Sequence, residues 1–151
     1  MKQILIFCAL FGSLLLSGCA STAGGTYQSE PQKRIAAVSA KYPEQNVNLL
    51  YIDAPHGFIA TKLAIASLKA GMDSNNVFAI IDALSKRSGD LLAVAGDDEA
   101  FTSATLERAL LAGGQRLVGS TVVYVGGQEN QNALTSAAKK ADIKVEFVPY
   151  P

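Results

Sequence analysis

The sequence is poor in the residues that carry most enzyme chemistry. It has two cysteines, Cys8 and Cys19, and one histidine, His56. From Ala20 onward there is no disulfide, no thiolate nucleophile and no cysteine metal site. A domain built there must be held by its apolar core alone. An excess of one charge is missing too, since 13 basic residues face 13 acidic ones. Without a basic excess, nucleic acid is not an expected partner. No apolar run after residue 16 approaches the roughly 20 residues that span a bilayer. Gly-x-Ser-x-Gly, Gly-x-Gly-x-x-Gly and Gly-x-x-x-x-Gly-Lys are all absent. Neither a serine nucleophile elbow nor a nucleotide loop has a motif behind it, and no cofactor is implied.

The start of the chain is more informative. Met1-Lys2-Gln3 brings one positive charge, and Ile4 to Leu16 is almost wholly apolar. A run of about a dozen residues is too short to cross a bilayer and fits the hydrophobic segment of a secretory signal peptide. Leu16-Ser17-Gly18-Cys19 follows at once. Small residues before a cut let the chain lie extended in a peptidase groove, and the cysteine offers a thiol for alkylation.

That tetrapeptide resembles the lipobox of bacterial lipoproteins. The resemblance implies a diacylglyceryl group on Cys19, cleavage after Gly18 and acylation of the new amine. Ala20 stands where an aspartate would argue for inner-membrane retention, so the implied address is the outer membrane, facing the periplasm. The implied partners are the membrane, through the lipid on Cys19, and an envelope protein or small ligand. Residues 1–18 are then a signal peptide, 19–29 a lipidated flexible tether and 30–151 a single α/β domain. Ser21 to Ser29 is small, polar and Gly-containing, as a tether should be. Each buried acyl methylene adds about 0.8 kcal/mol, so several chains make a firm anchor. Removing residues 1–18 takes away Lys2 and leaves 133 of the 151 residues, with 12 basic against 13 acidic. That is one near-neutral domain of ordinary size.

The rest alternates between helix and strand patterns. Ser29, Pro31 and Gln32 mark a helix start, Ile35 and Val38 give it a short apolar stripe, and Tyr42-Pro43 ends it. Val47 to Asp53 reads as a strand, and the unbroken apolar run Leu49 to Ile52 predicts burial on both faces. Ile59, Leu63, Ala66 and Ala70 fall at helical spacing, with Gly71 as a stop. A second helix follows directly, with Val77, Ile80, Ile81 and Leu84 as its stripe and Lys86, Arg87 and Gly89 at its end. Leu91 to Ala95 and Thr121 to Val125 are apolar strands, each followed by a glycine, polar residues and a helix. The acids that open the first of these helices suit the positive end of its dipole. Ala133, Leu134, Ala137, Ala138 and Ala141 form the face of the last helix. In the closing strand Val145 and Phe147 alternate with Lys144 and Glu146, which marks a sheet edge. The pattern predicts a small Rossmann-like three-layer α/β/α domain with about four parallel strands, covered on both faces.

In such sheets ligands sit outside the carboxyl ends of the strands, near a reversal in strand order. The residues placed there are Asp53, His56, Gly57, Asp97, Asp98, Glu99, Gly126, Gly127, Gln128 and Glu129. His56 is a candidate general acid or base, because imidazole as a group ordinarily exchanges protons near neutral pH, with Asp53 near it in sequence. A helix-capping or solvated loop histidine accounts for the same position and is the preferred reading. Asp53, Asp97 and Asp98 could converge on a divalent cation. Their order is loosely similar to phosphoryl-transfer and receiver domains, but no acidic pair follows the first strand and no lysine follows a late one. Helix capping by Asp97 and Asp98 is the plainer account. Gly126-Gly127 could present N–H groups to an anion, or simply form a tight turn. The expected function is a non-enzymatic binding or accessory module on a lipid anchor. The alternative is a periplasmic hydrolase-like enzyme using Asp53, His56 and the acids after Gly96.

Overall fold

Helix α1, Glu30–Lys41, opens with Ser29, whose N–H donates to the Gln32 side chain at 3.0 Å. Pro31 sits in its first turn, where a missing N–H costs nothing. The computed structural model describes residues 29–86 and 89–150. The signal peptide, the lipobox with Cys19, most of the tether, and Arg87 lie outside these residues.

The chain then runs β1 Val47–Ile52, α2 Phe58–Lys69, α3 Asn75–Ser85, β2 Leu91–Gly96, α4 Glu99–Gly113, β3 Thr121–Val125, α5 Gln131–Ala141 and β4 Lys144–Val148. The four strands form one sheet in the order β1-β2-β3-β4, every pair parallel. This is the small three-layer α/β domain that the alternation predicts. Each crossover steps to the next strand in the same direction. Right-handed crossovers of that kind put their helices on one face. Leu92, Val94, Val122 and Tyr124 pack there with Leu68, Ile80, Leu106 and Leu134 from the four crossover helices. The alternate residues Leu91, Ala93, Ala95, Val123 and Val125 face the other way and meet Val38 of α1. Both faces are covered, but very unequally.

Helix α4 is the hub, with α2, α3 and α5 packed against it. Its buried hydroxyls return to the preceding turn, Thr102 to the Asp98 carbonyl at 2.7 Å and Thr105 to that of Phe101 at 2.8 Å. No buried hydroxyl there is left costing a lost hydrogen bond. On the second face α1 is tied down by polar side chains. Arg34 is buried; its Nη1 donates to the Val125 carbonyl at 3.2 Å and its guanidinium lies 4.3 Å from the Tyr150 ring centroid. Lys41 Nζ donates to the Phe147 carbonyl at 2.9 Å, and the Tyr42 hydroxyl donates to the Glu146 carboxylate.

Several sequence expectations are met: the α3 stripe is wholly buried, β2 is buried at every position, and β4 lies at an edge. Others are corrected. Strand β1 is the opposite edge, and within it only Ile52 is fully buried. Its apolar run comes from an edge with one neighbouring strand, not a centre. The stripe Ile59, Leu63, Ala66, Ala70 faces solvent; α2 buries Thr61 and Leu68 instead. That helix is apolar nearly all round, so spacing could not tell its two sides apart. In α1 the buried pair is Arg34 and Val38, with Ile35 turned outward, and in α5 Ala133 is exposed.

Val94 is fully buried in the second strand. Val94→Asp should unfold the domain, because an unpaired buried carboxylate costs several kcal/mol against a total stability of about 5–15 kcal/mol. Lys144→Asp, exposed on the edge strand, should change the melting temperature little. Equal tolerance of both in thermal melts would contradict the sheet assignment.

Burial, helped by the bond to Glu146, pushes the Tyr42 phenol up to about 12, and burial pushes Tyr124 up to about 12 as well. Both lie above an unfolded tyrosine, near 10. Their stabilising contribution is therefore full below about pH 10 and is lost as pH rises through about 12. Tyr42→Phe should flatten the alkaline fall in melting temperature across that window. An unchanged fall would show that Tyr42 does not help dock α1.

Candidate functional site

The carboxyl ends of the strands are joined loop to loop by acidic side chains. Asp97 Oδ1 accepts from Ala54 N at 2.8 Å and from Asp98 N at 3.0 Å, tying the loop after β1 to the loop after β2. Asp98 Oδ1 accepts from Phe101 N at 2.8 Å and caps α4. Glu99 Oε2 accepts from Gly127 N at 2.9 Å, linking the loop after β2 to the loop after β3. Gly126 N donates to the Val148 carbonyl at 3.2 Å, which completes the row to β4. Each bond satisfies a backbone donor of a turn or helix start.

The glycines serve the same close approach. A Cβ on Gly96 would stand 2.1 Å from Thr102 Oγ1 and 2.4 Å from the Ile52 carbonyl. On Gly127 it would stand 2.6 Å from Glu99 Oε2. Gly126-Gly127 therefore gives up both N–H groups to the protein itself, and a carboxylate of this chain occupies the donor an external anion would need. Gln128 and Glu129 project outward from a short 3₁₀ turn, Gln128–Asn130.

Only part of the proposed constellation comes together. His56, Asp97 and Asp98 line one open cleft of about 470 Å³, together with Phe58, Thr61 and Lys62. Asp53 is exposed and does not line this cleft. The strand order has no reversal, so the cleft is not a crevice between diverging crossovers; it lies between the loop after the edge strand β1 and the start of α4. Its loop is well anchored. Gly57 takes φ +93°, and Thr61 Oγ1 donates to the Pro55 carbonyl at 2.8 Å. His56 thus rides on a fixed loop while its ring stays exposed. A second cleft, of about 350 Å³ at the opposite end of the sheet, offers Asp90 as its one ionisable lining residue among the described residues.

Burial raises the Tyr51 phenol, and the charges of Asp97 and Asp53 add to that against the pull of Arg34. Among the described residues no three His, Cys, Asp or Glu side chains are grouped to hold a metal ion. Sequence reasoning missed Lys62 in the cleft and Arg34 beneath the sheet end. Lys62 follows Phe58 by one helical turn, and its ammonium lies 4.1 Å from that ring centroid. Arg34 precedes Val38 by one turn, so the i, i+4 spacing placed it on the buried stripe despite its charge.

The chain matches no family model, no curated protein and no solved structure.

Asp98→Ala removes a helix cap and should cost about 1 kcal/mol in denaturant titrations. His56→Ala should change stability by less than about 0.5 kcal/mol, as exposed substitutions do. A larger loss for His56→Ala than for Asp98→Ala would mean that the imidazole, not the aspartate, organises this end of the sheet.

Proposed function

We propose that this chain is a lipid-anchored protein of the bacterial envelope, held at the outer membrane facing the periplasm, whose α/β domain is a non-enzymatic binding or accessory module. The observation that carries the anchor is Leu16-Ser17-Gly18-Cys19 directly after an apolar run of signal-peptide length. The module reading is supported by how the acids at the strand ends are used. Asp97 and Asp98 each spend a carboxylate oxygen on backbone donors, and Glu99 does the same. Such groups shape and stiffen a cleft and are poorly placed to exchange protons with a substrate.

A hydrolase-like site is the second reading, favoured by one observation: His56, Lys62, Asp97 and Asp98 border the same cleft. In that case His56 is the general acid or base and an aspartate orients it or a water. Asp53, expected as a third member, does not border the cleft.

Cys19→Ala should abolish palmitate labelling and leave the precursor uncut. Continued labelling with normal membrane fractionation would contradict the anchor. Expressed in a deletion strain, His56→Ala should complement as well as the parent chain at equal abundance. Failure to complement at normal abundance and location would favour the enzyme.

A further inference from the structure

Helix α2 exposes three large apolar side chains in its first two turns: Phe58 at 73%, Ile59 at 81% and Leu63 at 68%. Ile59 and Leu63 are one turn apart, and Ala66 and Ala70 continue the same exposed line. Lone exposed apolar residues need no explanation, but a continuous apolar helix side calls for a partner. The charges on α2 narrow its chemistry. Lys62 and Lys69 are both exposed, and the helix contains no acid. An apolar strip edged only by lysines, whose stems lie along the strip while the ammonium groups stay wet, suits an interfacial helix on an anionic lipid surface.

The position of the anchor points the same way. α2 starts at the carboxyl end of β1. α1 starts at that same end of the sheet, where Arg34 reaches the Val125 carbonyl and Tyr150 donates to Glu30 at 3.1 Å. Ser29 is ten Cα-to-Cα steps from Cys19, a reach of at most about 35 Å. A leash of that length keeps the domain close to its membrane. The exposed carboxylates Asp53 and Asp97 occupy the sheet end itself and oppose an end-on approach to anionic lipid. They favour contact along the length of α2.

We propose that the outer face of α2, through Phe58, Ile59, Leu63 and Lys62, is a membrane-surface contact that lays the tethered domain on its own bilayer. The proposal rests on the lipid-anchored reading. The bilayer is the committed occupant; a second copy of the chain, meeting across α2, is the rival.

The chain contains no tryptophan, so a single reporter can be introduced. Full-length Ile59→Trp and Ala36→Trp, the latter exposed on α1 across the sheet, would be purified in the lipidated state. Each would be reconstituted into phosphatidylethanolamine–phosphatidylglycerol vesicles with acyl-brominated lipid. The Ile59→Trp emission should shift to the blue and lose about half its intensity or more, as for a side chain roughly 5–10 Å into the interface. The Ala36→Trp emission should be unaffected. Lys62→Glu with Lys69→Glu should restore most of the lost Ile59→Trp emission. Equal or absent quenching at the two positions in palmitate-labelled protein would overturn the contact while leaving the anchor standing. A blue shift that follows protein concentration without quenching would assign the face to a second copy and overturn the proposal. Protein without palmitate would fail on the anchor itself and take the proposal with it.

Discussion

The strand order β1-β2-β3-β4 is the constraint from which the remaining architecture follows. Three parallel crossovers, each stepping to the next neighbour with the same hand, place α2 to α5 on one side of the sheet. That side becomes crowded, and α4 at its centre is buried by the sheet and its neighbours together. The other side receives only α1, which comes from before the first strand. One helix cannot cover four strands with apolar contacts alone. The second face is therefore completed by long polar side chains: Arg34 laid against Tyr150, Lys41 on a β4 carbonyl and Tyr42 on Glu146. A sequential order also has two true edges and no switch point. The crevice in which doubly wound sheets place their ligands is not formed.

The loops at the carboxyl ends show what replaces it. Asp97, Asp98 and Glu99 satisfy backbone donors in their own and neighbouring loops. Residues that in isolation suggest metal or phosphate chemistry here do the work of turns and caps, with charge-assisted bonds stronger than neutral ones. The cleft beside them keeps His56 exposed on a loop fixed by Thr61, and Lys62 exposed on the first turns of α2. It is a preformed recess with ionisable groups at its rim.

Much of this was legible in the chain. The α3 stripe, the all-apolar β2 and the alternation in β4 each point to one environment, and the structure puts them there. Where the reading failed, the pattern was ambiguous in a specific way. Leu49 to Ile52 is as apolar as a central strand, but strand order depends on which neighbours pair, and that is not encoded in the run itself. In α2 both sides are apolar, so helical spacing identified Ile59 and Leu63 as a stripe without revealing that Thr61, Ile65 and Leu68 face the core. The charge of Arg34 argues for solvent, whereas its acceptor lies 91 residues away in sequence, at Val125. At the site, the residues were placed at the right end of the sheet. Their hydrogen-bond commitments needed the loops to be seen together.

The proposed lipid on Cys19 would account together for an exposed apolar helix, a domain whose first helix starts at the same end, and a short stretch back to Cys19. Tandem mass spectrometry of the N-terminal peptide of the protein purified from its native envelope tests that most directly. The account predicts a mature chain beginning at Cys19, bearing a diacylglyceryl thioether and an acylated amine. A chain that begins elsewhere, or an unmodified cysteine, would contradict it.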